Sequence, residues 1–331
     1  MQNIYIHPNI NKNSEIKNAN KNPYIVLLKE SLKIAGYNIS EKKGRGILGL
    51  LKNRKAKIWI INWPESIVFK KYGKLQLLIY LFLLLYGRVL NKHIIWILHN
   101  KTHHSKKSRY STLSTNITAF FTRTIITHCK EGVRYAKENY YKNAYFIPHP
   151  IYPNQIIPQS KEELYDILMW GEVSPRKKIA EFLEYCSTDD LLSSFRITIC
   201  GKCNDVKYAR KINEYVDKLN SIKFINRYHD DSEINAFLSK TKYILFTYNK
   251  ESILSSGALT YSLAAMKPIF GPNTGAFVDL EDEGIVTTFN SFGDLKLKLK
   301  NPNFDLCSLR RYLSINTWDN FGKKFKFITD N

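Results

Sequence analysis

Two short stretches hold the residues best suited to grip a phosphorylated ligand. The first reads Gly171-Glu172-Val173-Ser174-Pro175-Arg176-Lys177-Lys178 and stands between an apolar run and a helix-like one. A glycine permits a tight turn there, and paired cations at a helix start suit a diphosphate. The second stretch, residues 251–259 (ESILSSGAL), also leaves a strand-like run for a helix-like one. Its small Ser255, Ser256, Gly257 and Ala258 would open backbone N–H groups to an anion, with help from the helix dipole. The same residues would equally make an ordinary helix cap.

Residues fit for proton transfer lie in the first half. Glu65 follows the run 56–62 (AKIWIIN) and a Trp63-Pro64 turn, and it is one of only six acids in the first 150 residues. A carboxylate at a strand end behind a stiff turn is a candidate general base. His99 follows the run 93–98 (HIIWIL) in the same way. An imidazole that titrates near neutrality can act as a base or orient a phosphate. His149 follows the run 144–147 (AYFI), whereas His103 and His104 sit in a basic loop and read as surface. No Asp-x-Asp stands at a strand end, since Asp189-Asp190 and Asp230-Asp231 are adjacent pairs at expected helix caps, so no metal site is expected. Cys200 and Cys203 form a C-x-x-C with no second pair or histidine cluster at zinc spacing.

The elements that must position these residues alternate between strand and helix. Residues 3–7 (NIYIH), 56–62, 93–98, 124–127 (TIIT) and 144–147 read as strands, with a helix opened by Pro23 and another over 75–86 (LQLLIYLFLLLY). Pro148, Pro150, Pro153 and Pro158 then mark a linker. A second series follows, with strands at 166–170, 196–200, 223–225, 243–247 and 268–270, and helices near 179–185, 209–219, 232–239, 255–265 and 291–300. Nearly continuous apolar strands separated by helices imply parallel sheets covered on both faces. The expected class is therefore α/β, with two doubly wound, Rossmann-like domains in tandem. Ligands of such sheets bind beyond the carboxyl ends of the strands, so a cleft between the domains is the expected site.

Charge separates the two halves. Residues 1–150 carry 26 basic and 6 acidic side chains, while residues 151–331 carry 24 and 23. A basic half beside a neutral one suits a partner with a polyanionic surface. Lys42 to Lys57 interleaves seven cations with Ile and Leu, and Lys70, Lys71, Lys74, Arg88 and Lys92 flank the apolar helix. That pattern favours an anionic membrane surface. No recognised nucleic-acid module or aromatic platform motif occurs, so nucleic acid is not an expected partner. The 12-residue run 75–86 is shorter than a membrane span. Five scattered cysteines and an N-terminus without a signal-peptide core suit a cytoplasmic protein. With 44% apolar residues over 331 positions, disordered and disulfide-stapled classes are excluded.

The second half resembles the donor-binding domain of GT-B glycosyltransferases. The likeness rests on Gly171 with Lys177 six residues on, the strand RITICG, the segment 222–228 (IKFINRY), the strand YILFT and the stretch SSGALTYSLAAMKPIFGPNTGAF. In the first half, Asn22-Pro23-Tyr24, Trp63-Pro64-Glu65, the segment 96–100 (WILHN) and the segment 147–152 (IPHPIY) resemble bacterial polysaccharide glycosyltransferases. The resemblance implies a GT-B fold, with an acceptor domain over residues 1–152, a donor domain over 153–315 and a C-terminal helix, 316–331, packing back on the first domain. It implies transfer of a sugar from a UDP- or GDP-sugar to a lipid-linked saccharide, as in capsule or exopolysaccharide assembly, at the inner face of the plasma membrane.

The resemblance also assigns roles. Gly171, Arg176, Lys177, Arg227, Tyr228, Ser255, Ser256, Gly257 and Ala258 would hold the donor; Asn22, Tyr24, Trp63 and His149 would line the acceptor side. Glu65 or His99 would take the acceptor proton, and Trp63 could stack on a sugar face. Tyr261 and Ile253 stand where the large retaining family carries two acids, and Glu172 where it carries an arginine. These departures favour inversion, with cations in place of a metal and no cofactor. A retaining enzyme with an atypical donor motif and a non-catalytic polyanion-binding protein are the alternatives.

Overall fold

In the computed structural model, residues 1–9, 23–42, 44, 46–102, 108–153, 157–158, 160 and 162–330 are described. Asn22, His103 and His104 lie outside the described residues, as do Lys43 and Arg45 of the basic stretch. The chain divides into a unit formed by residues 1–150 with 316–331 and a second unit of residues 151–315.

Six strands make the first sheet: β1 (Asn3–His7), β2 (Asn38–Ile39), β3 (Ile58–Asn62), β4 (His93–Leu98), β5 (Thr124–Thr127) and β6 (Ala144–Phe146), in the order β2-β1-β3-β4-β5-β6. Every pairing is parallel. The pleat sends Ile58 and Ile60 to one core with Tyr24, Leu28 and Leu32, and Trp59 and Ile61 to another with Leu77, Tyr80 and Leu84. Right-handed crossovers put the connections from β3 through β6 on a single face, because the chain advances one way across the sheet. That face takes the helices Gly73–Val89, Arg109–Phe121 and Lys130–Tyr140. The other face would keep only the helix Tyr24–Ile34. The helix Trp318–Asp330 completes it, burying Trp318, Phe321 and Phe325 in the same core.

In the second unit β7 (Tyr165–Trp170), β8 (Ile197–Cys200), β9 (Ile222–Ile225), β10 (Thr241–Leu245), β11 (Ile269–Pro272) and β12 (Val286–Phe289) run in the order β12-β11-β10-β7-β8-β9, again all parallel. The chain starts at β7, moves out to β9, and returns to the other side of β7 with β10. The carboxyl ends of β7 and β10 thus diverge at a topological switch point, and β1 and β3 form the equivalent point in the first sheet.

The expected helix 75–86 runs longer, over Gly73–Val89, and the expected strand 56–62 is shorter, over Ile58–Asn62. The helices Arg109–Phe121 and Lys130–Tyr140 and the strand β12 were not legible as elements in the sequence.

Candidate functional site

At the switch point of the second sheet, β7 ends in Trp170 and the chain turns through Gly171 at φ 89°, in the left-handed region. A Cβ at Gly171 would stand 3.1 Å from Lys177 Nζ and 3.9 Å from Ala258 Cβ, and one at Gly201 would stand 2.0 Å from the Gly171 carbonyl oxygen. Glycine is therefore a steric requirement at this turn. Arg176 and Lys177 follow in a 3₁₀ turn, Pro175–Lys177. Two bonds from the residues after β10 pin that turn: Asn249 N–H donates to the Arg176 carbonyl at 2.8 Å, and Thr247 Oγ1 donates to the Lys177 carbonyl.

Lys177 is buried, and its ammonium donates to the Trp170 carbonyl at 2.6 Å. The Arg176 guanidinium lies 4.8 Å from the centroid of the Tyr248 ring, with Lys177 Nζ at 5.5 Å. Tyr248 in turn shares a hydrogen bond of 3.0 Å with Ser256. Burial lowers the Lys177 pKa. Burial alone would raise the Tyr248 phenol, but Lys177, Arg176 and the Ser256 bond outweigh it and lower that pKa. The Arg176 Nε is buried with no hydrogen-bond partner, and among the described residues neither cation forms an ion pair. Two cations held together over an aromatic ring, one with an unspent donor, make a cradle for an anion.

The strand ends of the first sheet gather a wall of rings. Tyr24 is fully buried, with its ring 4.8 Å from His99, 5.6 Å from His128, 5.4 Å from His149 and 5.3 Å from Trp318. His128 Nδ1 donates to the Ile147 carbonyl at 2.8 Å, so its Nε2 accepts from the Tyr24 hydroxyl at 2.8 Å. His149 Nδ1 donates to the Pro150 carbonyl at 2.8 Å. Asn62 Nδ2 donates to the His7 carbonyl at 3.1 Å, which leaves Asn62 Oδ1 to accept from His99 Nε2 at 3.0 Å. Burial lowers His128 to about 3, with help from the nearby His149, and lowers His149 and His7 to about 4. These three imidazoles are neutral at pH 7.

Glu65 lies elsewhere. The 3₁₀ turn Pro64–Phe69 follows Trp63, whose φ of 50° turns the chain through the left-handed region. Glu65 is 4% exposed, and Asn100 Nδ2 donates to its Oε1 at 3.1 Å. Ser111 and Ser114 of the helix Arg109–Phe121 donate to the carbonyls of Glu65 and Pro64 at 2.9 and 2.8 Å. Burial pushes the Glu65 carboxyl up to about 7, against its own backbone N–H and Asn100, which pull it down. The side chain lines a cavity of about 570 Å³ among Lys101, Ser108, Thr112, Thr115 and Tyr140.

No protein-family model matches the sequence, and no curated protein matches it. Solved structures do. A sucrose-phosphate synthase from Thermosynechococcus elongatus is 11% identical at a TM-score of 0.68, covering all of this chain and 98% of that one. HepE from Anabaena, in complex with UDP, is 10% identical at a TM-score of 0.68 over the whole of both chains. A glycosyltransferase from Rickettsia africae is 13% identical at a TM-score of 0.64, covering 99% of this chain and 97% of that one. The chain has the GT-B fold.

Within this GT-B sheet, Gly171, Arg176, Lys177, Ser256 and Ala258 come together. Ser256 is also the cap expected as the alternative: its Oγ accepts from Leu259 N–H at 3.3 Å. Ser255 adjoins it, half-buried, and Gly257 packs against Tyr152, whose hydroxyl is 3.1 Å from where a Cβ would stand. Arg227 and Tyr228 follow β9, the edge strand, two places from β7. Arg227 is already paired with Glu233, Nη1 to Oε2 at 2.9 Å, and its other contact is the Tyr228 carbonyl.

Tyr24, Trp63, His99 and His149 do come together, but as packed rings. Trp63 stacks on His99 at 4.8 Å and 23°, so one face of the indole is occupied by imidazole rather than open to a sugar. Glu65 is buried rather than presented on a loop, and the lining of its cavity includes none of those four. Sequence reasoning missed Tyr248, Asn100 and His128. His128 was open to it, since it follows the TIIT strand just as His99 follows HIIWIL. Cys200 and Cys203 are separate free thiols, Cys203 Sγ donating to the Asp205 carbonyl at 3.2 Å.

Proposed function

We propose that this chain is a glycosyltransferase that moves a sugar from a nucleoside diphosphate sugar to a hydroxyl of a lipid-linked saccharide, with inversion and without a divalent ion. The observation that carries the reading is the pair Arg176 and Lys177 at the switch point of a GT-B sheet, with a buried guanidinium N–H unspent. A diphosphate supplies the missing acceptors, and charge-assisted bonds to it strengthen as the glycosidic bond breaks and the leaving phosphate gains charge. HepE, which shares the fold, has been solved with UDP and with UDP-glucose, which supports uridine over guanosine.

Glu65 is the proposed base, with a carboxyl poised near neutrality that opens on a cavity lined by hydroxyls, and His99 is the reserve. Ile253 is buried and Tyr261 donates to Asn235 at 2.9 Å, so neither supplies the carboxylate of a retaining donor site, which supports inversion. Five free cysteines suit a reducing cytoplasm, and a lipid-linked acceptor would place the enzyme on its membrane face, in assembly of a surface polysaccharide.

Calorimetry with UDP, GDP and inorganic phosphate, followed by NMR of the product formed from a UDP-sugar in EDTA, tests the reading. UDP should bind far better than phosphate, turnover should survive EDTA, and the anomeric configuration should invert. Binding of UDP no tighter than phosphate would leave a polyanion-binding protein without catalysis. A retained configuration would make the chain a retaining enzyme with an atypical donor motif.

A further inference from the structure

The helix Gly73–Val89 is apolar on both sides. Leu77, Tyr80, Leu83 and Leu84 are buried under the sheet, whereas Leu75, Leu78, Phe82, Leu85 and Val89 are 56, 51, 59, 47 and 76% exposed. The outward set repeats at intervals of three and four, so it forms one stripe along the helix. Phe69 and Tyr72 extend it at one end and Leu90 at the other, and all three are exposed. Leu48 and Leu51 are exposed nearby, since a Cβ at Gly46 would stand 3.0 Å from Gln76 Oε1. A stripe of this size is more than scattered surface hydrophobicity.

The surrounding charge has one sign. From Lys42 to Lys130 the sequence holds 18 Lys and Arg and a single acid, Glu65, which is buried. Lys52, Lys70, Lys71, Lys74 and Arg88 are exposed along the stripe. The repeat of three and four would suit pairing with a second copy of the helix. Such a pair would bring cations against cations with no exposed carboxylate from this stretch to offset them. Among the described residues no helix is long and apolar enough to cross a membrane.

We propose that the stripe Leu75, Leu78, Phe82, Leu85 and Val89 lies flat in the interface of an anionic lipid leaflet, with Lys70, Lys71 and Lys74 on its headgroups. This deepens the reading of a lipid-linked acceptor given above and names the face that docks. The apolar side chains enter the acyl boundary while the cations meet lipid phosphates and carboxylates. The two sets of residues separate experimentally, because only the second is sensitive to salt.

Co-sedimentation of the full chain with vesicles of phosphatidylglycerol and phosphatidylcholine, or of phosphatidylcholine alone, at low and high salt, tests the proposal. Wild type should bind the anionic vesicles at least tenfold more tightly and lose most of that preference in high salt. The double variant Leu78→Gln, Phe82→Gln should weaken binding at least tenfold at either salt with an unchanged circular dichroism spectrum, while Phe82→Trp should keep it. Lys70→Glu, Lys71→Glu, Lys74→Glu should flatten the salt dependence. UDP affinity should be the same in all variants, so loss of membrane binding is told apart from loss of the donor site. Equal binding to both vesicles, or full binding by the Gln variant, overturns the proposal. So does a wild-type dimer in analytical ultracentrifugation that the Gln variant abolishes, since a second copy would then cover the stripe.

Discussion

Replacing Glu65 by Gln should make the protein more stable and less active, and the stability gain should depend on pH. Burial lifts the carboxyl from 4.5 to about 7. At about 1.4 kcal/mol for each unit, the folded state bears a penalty of roughly 3 kcal/mol when this group is ionised. The sign follows from linkage: a carboxyl that holds its proton more tightly when folded costs nothing below pH 4, and the cost grows as pH rises to about 7, where it is complete. Glutamine is nearly isosteric, still accepts from Asn100 through its oxygen, and never ionises. The variant should therefore match wild type in urea midpoint near pH 4 and exceed it by about 3 kcal/mol at pH 8. For a unit of this size that is roughly 6–12 °C in Tm. Titrations of other groups cancel in the difference between the two proteins. Turnover should fall by roughly 10²–10⁴, the contribution of a general base, with UDP affinity unchanged. Urea melts followed by circular dichroism at several pH values provide the check. A difference that is the same at pH 4 and pH 8 would refute the buried, ionisable carboxyl, and full activity in the variant would move the base to His99.

Lys177→Ala should lower turnover by a factor on the order of 10²–10³ and weaken UDP in calorimetry, leaving the fold intact by circular dichroism; undiminished activity would remove the cation cradle from the mechanism. Gly171→Ala forces a side chain into the left-handed region beside the Lys177 ammonium, at a cost of about 1–2 kcal/mol, and should weaken UDP as well. Acid should unfold the protein steeply. His7, His128 and His149 take up protons near pH 6.5 when unfolded but only near 3–4 when folded, so stability is lost as pH falls through that window. Three protons, offset by the one that folded Glu65 takes up over the same range, give a slope of up to about 3 kcal/mol per pH unit, and a urea midpoint that is flat from pH 6.5 to 4.5 would count against buried neutral imidazoles.

The strand ends were legible because their signal is local. Runs such as AKIWIIN, HIIWIL and DILMW are apolar, and each is followed within two residues by a polar, Gly or Pro residue, so Glu65, His99 and Gly171 could be placed at carboxyl ends from the sequence. The cavity beside Glu65 was not legible. Its wall is the helix Arg109–Phe121, which holds five Ser and Thr, residues that weaken any helix signal because they compete for backbone hydrogen bonds. In the fold those hydroxyls find partners: Ser111 and Ser114 tie the helix to the Pro64–Phe69 turn, and Thr118 donates to the Ser114 carbonyl at 2.7 Å. The direction of Glu65 depends in turn on the left-handed Trp63, a conformation no spacing rule assigns to tryptophan. Tyr248 meets Arg176 across 72 positions, so nothing local pairs them.

The distribution of charge has a mechanical logic that follows from burial. The first unit is strongly basic, yet His7, His128 and His149 at its strand ends add no positive charge at pH 7, because burial holds them neutral. The described cations of the stretch 42–130 are mostly exposed, and Lys70, Lys71, Lys74 and Arg88 flank or lie on the helix that carries the apolar stripe. Inside, the single acid of that stretch is kept from pairing with them: its hydrogen-bond partner is Asn100, an amide, and its pKa rises instead of falling. A carboxylate neutralised by Lys or Arg would sit below the usual range and make a poor base at pH 7. Lys101 and Arg109 line the same cavity, but Lys101 is paired with Glu131 and Arg109 is exposed. That Glu65 has no ion pair among the described residues is what leaves it able to take a proton, and placing a cation against the carboxyl should remove that ability. Thr115→Lys, on the cavity wall, should pull the Glu65 pKa down and shift the acid limb of the kcat profile to lower pH while cutting turnover. A pH profile unmoved by Thr115→Lys in a folded variant would show that the reaction does not depend on the titration of Glu65.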